Sequence, residues 1–271
     1  MINEKDSIFA IEDFTTLRNT TFNLQRSKLK EKLRQFIPAI SNNVKAKQNY
    51  PKFVSLLFSK TSNPKVLVIG GSILGQGMES LTQNDSIELV ETDVSFGPCT
   101  KLICDSHDIP FENESFDGVI VQAVLEHVTD PYRCVEEIQR VIKKQGFVYA
   151  ETPFIQQVHM GRYDFTRFTH LGHLRLFRKF TVIDSGAVCG PGMALAWSYQ
   201  YFLLSFTTSK ILRALIKVFS NLTSFYLKYF DYFLIEKAGA YDASSGYFFM
   251  GKKDDRMLSD KELIKLYKGA Q

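Results

Sequence analysis

Several things are scarce in this chain, and each shortage removes a class of protein. Between Ala194 and Phe230, where aromatic residues are dense, no run of roughly eighteen apolar residues occurs, so a membrane-crossing helix is not expected there. The four cysteines, at 99, 104, 134 and 189, show neither C-x-x-C nor any other metal-ligand spacing, and nothing resembling a secretory signal precedes them. Reduced thiols in a cytoplasmic protein are the expectation. The net charge of +4 is mild for 271 residues, and basic residues interleave with acidic ones, so no nucleic-acid partner is called for. Apolar material is not scarce: at 45% hydrophobic and 23% charged residues, the chain can bury a sizeable core.

The segment KVLVIGGSILGQGME, 65–79, reads as an apolar strand, a glycine-rich turn and then a helix. Such a turn brings backbone close to a ligand, and a helix start adds unpaired N–H groups and a positive dipole end. The dinucleotide spacing G-x-G-x-x-G fails, since from Gly70 it requires glycine at 72, where Ser72 stands. No Gly-Lys-Ser/Thr follows, so the turn is not a P-loop either. A tight turn with no ligand remains the competing reading.

Further on, short apolar runs alternate with helical stretches. Strands are expected at 65–70, 86–91, 101–104, 117–121 and 146–151, with two more at 180–184 and 246–251. This alternation implies a parallel sheet with crossover helices. A helix over 131–144 has Asp130 as N-cap, Pro131 at its first position, and Val135, Ile138, Val141 and Ile142 on one face. Residues 1–60 read as an N-terminal helical cap, with helices near 12–36 and 50–60 and a solvated basic face from Arg26 to Arg34. A core follows over 61–189, then a helical insertion over 190–243, and a last strand with a tail over 244–271. From Ala194 to Phe230 the insertion has no Asp or Glu, while Lys210, Arg213, Lys217 and Lys228 lie among aromatic residues. Two readings fit: a lid or dimer surface, and peripheral contact of 194–230 with an anionic membrane.

Acidic residues follow the expected strands. Asp93 lies about where an open α/β sheet places a carboxylate on a ribose diol, with Glu91 as its neighbour and rival. Asp105, after the third strand, could accept from an exocyclic amine. Either one alone could equally be a solvated loop residue or helix cap; together they favour a nucleoside site.

Taken in order, VLVIGGSILGQG, ETDVS, CDSHDIPFENESFDGVIVQAVLEHVTDP and EEIQRVIKKQGFVYAETP resemble the class I S-adenosylmethionine-dependent methyltransferases related to ubiquinone and menaquinone methylases, the methyltransferase type 11 domain, over roughly 65–155. The resemblance implies a Rossmann-like α/β fold with a mostly parallel seven-stranded sheet, helices on both faces and a final antiparallel pair. It also implies S-adenosylmethionine as cofactor. Gly70, Gly71 and Gly75 would then line its methionine and ribose part, Asp93 would bind the ribose hydroxyls, Asp105 with Ser106 would face adenine, and Gln122 would lie near the reacting centre. Two departures stand out. Val68 occupies a position where the family commonly has an acid, and the glycine loop is stretched. His127, in LEHV, would position a helix.

A methyl sulfonium is already activated, so the protein must chiefly align the acceptor and take a proton from it when it is a hydroxyl. The segment ETPFIQQVHMGRYDFTRFTHLGHLRLF supplies candidates beyond the fifth strand, and its YDFTRFT resembles methyltransferases found among cell-surface polysaccharide genes. His159 and Asp164 are the candidate general bases. Against this, Asp164 and Arg167 could simply staple a loop, and His170 and His173 could be surface or cap residues. With neither D/N-P-P-F/Y nor a clear metal cluster, no metal is expected, and O- or C-methylation of a small-molecule, saccharide or lipid-linked acceptor is favoured. The rivals are an NAD(P)-dependent oxidoreductase and a non-catalytic membrane- or partner-binding protein that keeps the fold.

Overall fold

The computed structural model describes residues 37–73 and 75–271. The basic run Arg26–Arg34 and the helix expected near 12–36 lie outside the described residues. Seven strands form one sheet: β1 (Lys65–Ile69), β2 (Glu88–Asp93), β3 (Leu102–Ile103), β4 (Phe116–Gln122), β5 (Ile142–Pro153), β6 (Phe180–Cys189) and β7 (Gly246–Lys253). Their spatial order is β3-β2-β1-β4-β5-β7-β6. β1 to β5 run parallel, and β7 is antiparallel to both β5 and β6. Chain order reverses at β1, which has β2 on one side and β4 on the other. The crevice beyond the C-terminal ends of β1 and β4 is where open α/β sheets bind ligands.

The central strands are buried on both faces, as expected of apolar strands with helices on either side. Alternate residues point opposite ways. Val66, Val68, Ile120, Phe147 and Tyr149 pack on one face with Tyr50, Phe53 and Leu57 of α1 (Ala46–Phe58). Leu67, Ile69, Val119, Val121, Val148 and Ala150 pack on the other, against α3 (Pro131–Val141), α4 (His170–Leu176) and α9 (Asp260–Lys265). Side chains of this kind contribute about 1.5–3 kcal/mol each when fully buried.

α3 starts as its sequence implies: the Asp130 side chain accepts from Arg133 N at 3.1 Å, and Pro131 occupies the first turn. It stops at Val141, three residues short of the expected end, because Ile142 is already extended and pairs with Phe116. An apolar Ile at that spacing suits a helix face and a buried strand alike. A larger correction concerns the glycine turn. Among the described residues the helix between this turn and β2 is α2 (Glu79–Thr82), a single four-residue turn, so the glycine turn does not lead into a long helix.

Between β6 and β7 the chain forms α5 (Pro191–Leu204), α6 (Lys210–Ser224), a 3₁₀ segment (Phe225–Phe230), α7 (Asp231–Leu234) and α8 (Ala238–Ala243). The buried Asp231 carboxylate accepts from Gly192 N at 2.7 Å and Met193 N at 2.9 Å, capping α5 from a distant part of the chain. No described helix is long and apolar enough to cross a membrane.

Candidate active site

Two adjoining cavities open over the C-terminal ends of the parallel strands and share Ile69, Gly70, Ser72 and Ala123 in their walls. The first, about 380 Å³, is bordered by Asp93, Asp105 and Ser106 and by His127, His159 and Tyr163. The second, about 520 Å³, is bordered by Val68, Gly71, Gly75, Gln122 and Glu151.

Asp93 ends β2. One carboxylate oxygen accepts from Ser95 N and Ser95 Oγ, both at 2.9 Å, and the other from Ser72 N at 3.3 Å, tying β2 to the glycine turn. Glu91, its rival, instead pairs with Lys101 at 2.9 Å. Asp105 accepts from His107 N at 2.9 Å and from His107 Nδ1 at 2.6 Å, while His107 Nε2 accepts from Asp130 N at 3.2 Å. Burial pushes the Asp105 carboxyl up, but the His107 donors and the charge of Arg133 outweigh it, so the group sits below its ordinary range as an anion. Ser106 Oγ lies 3.3 Å from Cys134 Sγ.

The glycines fit the turn for steric reasons that owe nothing to a ligand. Gly70 adopts φ +74°, and a Cβ there would sit 2.3 Å from Val124 Cγ2. At Gly75 a Cβ would meet Gln122 Oε1 at 1.8 Å. Gln122 is thereby held against the loop. It accepts from Tyr50 OH at 2.8 Å and donates to Glu151 Oε2 at 2.8 Å.

Glu151 was visible in the sequence only as part of a motif. It lies near the end of β5, as Asp93 ends β2, and that correspondence was the available signal. Its buried carboxylate accepts from Tyr149 OH at 2.5 Å, Gln122 Nε2 at 2.8 Å and Asn43 Nδ2 at 2.9 Å. None of these donors is a cation. Burial raises its pKa, with the three hydrogen bonds opposing.

Along the His127 and His159 wall of the first cavity, one expectation changes. Asp164 does not border either cavity: it grips Arg167 through both carboxylate oxygens and accepts from His159 N at 2.9 Å. Burial opposes ionisation, yet the Arg167 contacts overcome it and bring the pKa down to about 2. A carboxylate held so firmly as an anion is a poor proton acceptor; it is a staple that positions His159. His127, expected to position a helix, stands in the turn between β4 and α3, and its Nδ1 donates to Tyr163 O at 2.9 Å. Burial lowers its pKa.

His159 borders the cavity, and its ring meets that of His127 edge to face at 4.8 Å. Between them lies Glu126, which the sequence reading passed over. It is fully buried, neither carboxylate oxygen has a hydrogen-bond partner among the described residues, and burial raises its pKa to about 8. His170 and His173, for which surface or cap roles were the alternative to a site role, are buried on α4 among Tyr241, Tyr247, Phe177 and Phe249. Burial depresses them to about 4 and about 3.

Residues 74–150 match a family model described as a methyltransferase domain. Among solved structures, the chain is similar to a putative sarcosine dimethylglycine methyltransferase from Galdieria sulphuraria, at 15% identity and a TM-score of 0.50, covering 79% of this chain and 87% of that one. It also resembles phosphoethanolamine N-methyltransferase 2 of Haemonchus contortus, crystallised with S-adenosyl-L-methionine, at 15% identity and a TM-score of 0.49, over 87% of this chain and 59% of the other. No curated protein sequence matches the chain.

Proposed function

We propose that this enzyme, a methyltransferase of class I fold, binds S-adenosylmethionine across the two adjoining cavities and transfers its methyl group to an acceptor entering beside His159. One observation carries the reading: Asp93 ends β2, Asp105 lies just beyond β3 and Glu151 lies near the C-terminal end of β5, around one crevice at the point where strand order reverses. Asp93 takes the ribose hydroxyls and Asp105 with Ser106 faces adenine. Gly70, Gly71 and Gly75 run along the methionine and ribose, with Gln122 nearest the reacting centre. Glu151 supplies the negative charge for the methionine ammonium, which the apolar Val68 cannot.

The acceptor is a small-molecule, saccharide or lipid-linked hydroxyl, and His159, seated by Asp164, is the group at hand to activate it. Asp93→Ala and Asp105→Ala should each weaken S-adenosylmethionine binding measured by calorimetry. Unchanged affinity in both variants would favour a non-catalytic partner-binding protein with this fold.

A second feature bears on where the acceptor is met. α6 is turned inside out: Ser220 and Ser224 are its buried residues, Ser220 Oγ accepting from Gln200 of α5 at 2.8 Å. Ile211, Leu215, Phe219 and Leu222 are exposed, and so are Phe202, Phe206, Tyr232 and Phe233 around them. An apolar face this broad, flanked by Lys210, Lys217 and Lys237 and free of acids from Ala194 to Phe230, suits the interface of an anionic bilayer. The protein should float with vesicles containing phosphatidylserine, and a Lys210→Glu/Lys217→Glu variant should float less. Flotation independent of anionic lipid and of these lysines, or a concentration-dependent dimer in its place, would overturn the membrane reading.

A further inference from the structure

Glu126, His127 and His159 form a cluster of which the methyl-transfer chemistry above uses only His159. Glu126 Oε1 lies 3.6 Å from His127 Nε2 and 3.8 Å from His159 Nε2, and the three potential ligand atoms all fall within 4.8 Å of one another. Ligands roughly 2.1 Å from a shared tetrahedral ion are themselves roughly 3.4 Å apart, so a small inward adjustment closes the set.

The tautomers are already set for such an ion. His127 Nδ1 donates to Tyr163 O at 2.9 Å; His159 Nδ1 lies 3.3 Å from Gln157 O and 3.5 Å from Asp164 Oδ2. In each ring the proton therefore sits on Nδ1, leaving the Nε2 lone pair toward Glu126. Outer hydrogen bonds of this kind orient the imidazoles of metal sites. The Glu126 carboxyl supplies an independent observation: completely buried, with both oxygens unpartnered among the described residues, it lacks the hydrogen bonds that a buried polar group ordinarily has.

We propose that Glu126, His127 and His159 bind one divalent transition-metal ion at the acceptor end of the first cavity. Two imidazoles favour zinc, iron, nickel or copper over magnesium or calcium. Three protein ligands leave a coordination position open, and His127, His159 and Tyr163 border the cavity into which it would look. There the ion would hold an acceptor oxygen and ease loss of its proton to solvent, taking over the activating role given above to His159, which would then be a ligand. That oxygen then bonds to the methyl carbon, whose bond to sulfur breaks with the electron pair retained by S-adenosylhomocysteine. This last use rests on the methyl-transfer reading; metal binding itself does not.

The test is calorimetry with the metal-stripped full chain and Zn²⁺ or Ni²⁺ in the absence of S-adenosylmethionine, with Co²⁺ absorption as a reporter of ligand geometry. One equivalent should bind, and Glu126→Gln and His159→Ala, each checked for an intact melting transition, should weaken binding at least tenfold. The near-isosteric Gln substitution and the loop position of His159 keep both variants informative. Absence of stoichiometric binding, or binding indifferent to both substitutions, would overturn the proposal. Metal binding without S-adenosylmethionine binding would leave it standing and count against the methyl-transfer reading.

Discussion

Replacing Glu151 with Gln separates what this carboxylate does for the fold from what it does for the ligand. Glu151 is buried, its three donors are all neutral, and its pKa in the folded chain is raised above the ordinary 4.5. The unfolded chain therefore ionises it first. Its charge weakens the fold as pH rises above about 4.5, and at pH 7 the free protein carries that cost. A neutral side chain of the same shape can retain hydrogen bonds from the Gln122 and Asn43 sides, so Glu151→Gln should leave the melting temperature of the ligand-free protein unchanged or raise it by a few degrees. The opposite holds for the cofactor. One charge-assisted bond to the methionine ammonium is worth about 1.5–3 kcal/mol, which at 1.4 kcal/mol per decade means roughly 10- to 150-fold weaker S-adenosylmethionine binding. Scanning calorimetry and titration calorimetry on the same two proteins give both numbers. Unchanged cofactor affinity would refute the ammonium role, and a melting temperature lower by many degrees would make the carboxylate a structural acceptor.

Acid should destabilise the fold through α4. The unfolded histidines protonate near 6.5, whereas His170 and His173 resist until about 4 and about 3, so stability present above 6.5 is lost as pH falls toward those values. Each contributes about 2 kcal/mol of loss between pH 8 and pH 5, and His173→Leu should reduce the loss by that amount in urea titrations at the two pH values; an identical loss would contradict its burial as a neutral ring. Gly75→Ala should weaken S-adenosylmethionine binding more than tenfold, since its Cβ would displace Gln122 and with it the contact to Glu151; wild-type affinity by calorimetry would mean the loop yields easily. Asp164→Asn should lower methyl transfer while leaving cofactor affinity intact, because Asp164, itself outside both cavities, seats His159 through its backbone and holds Arg167; a loss confined to cofactor affinity would show that the staple serves the wrong end of the site.

The strands were legible in the sequence because parallel strands covered by helices on both faces are short, nearly continuous apolar runs, and KVLVI and FDGVIVQ have that form. Asp93 and Asp105 could be found as acids that follow such runs. What pattern could not supply was the geometry of loops. Nothing in GGSILGQGMES distinguishes a long helix from the single turn at Glu79–Thr82, since only the packing of Gly75 on Gln122 and of Gly77 on Ala46 fixes the path. His170 and His173 looked polar and therefore exposed, while tertiary packing among aromatic rings made them core. Glu126, His127 and His159 lie thirty-three positions apart at most in sequence, and only the loop held by Asp164 and Arg167 brings them together. For α6 the composition left two readings, a packed lid or dimer surface and a membrane-facing helix, and only the burial of Ser220 and Ser224 shows which side turns outward.

The central claim is that the crevice over β1 and β4 receives S-adenosylmethionine. Titration calorimetry of the full chain with S-adenosylmethionine, and separately with NADH and NADPH, tests it directly. The account predicts one S-adenosylmethionine per chain, weakened by Asp93→Ala, and no binding of either nicotinamide. Binding of a nicotinamide alone would contradict it and make the oxidoreductase reading the better one.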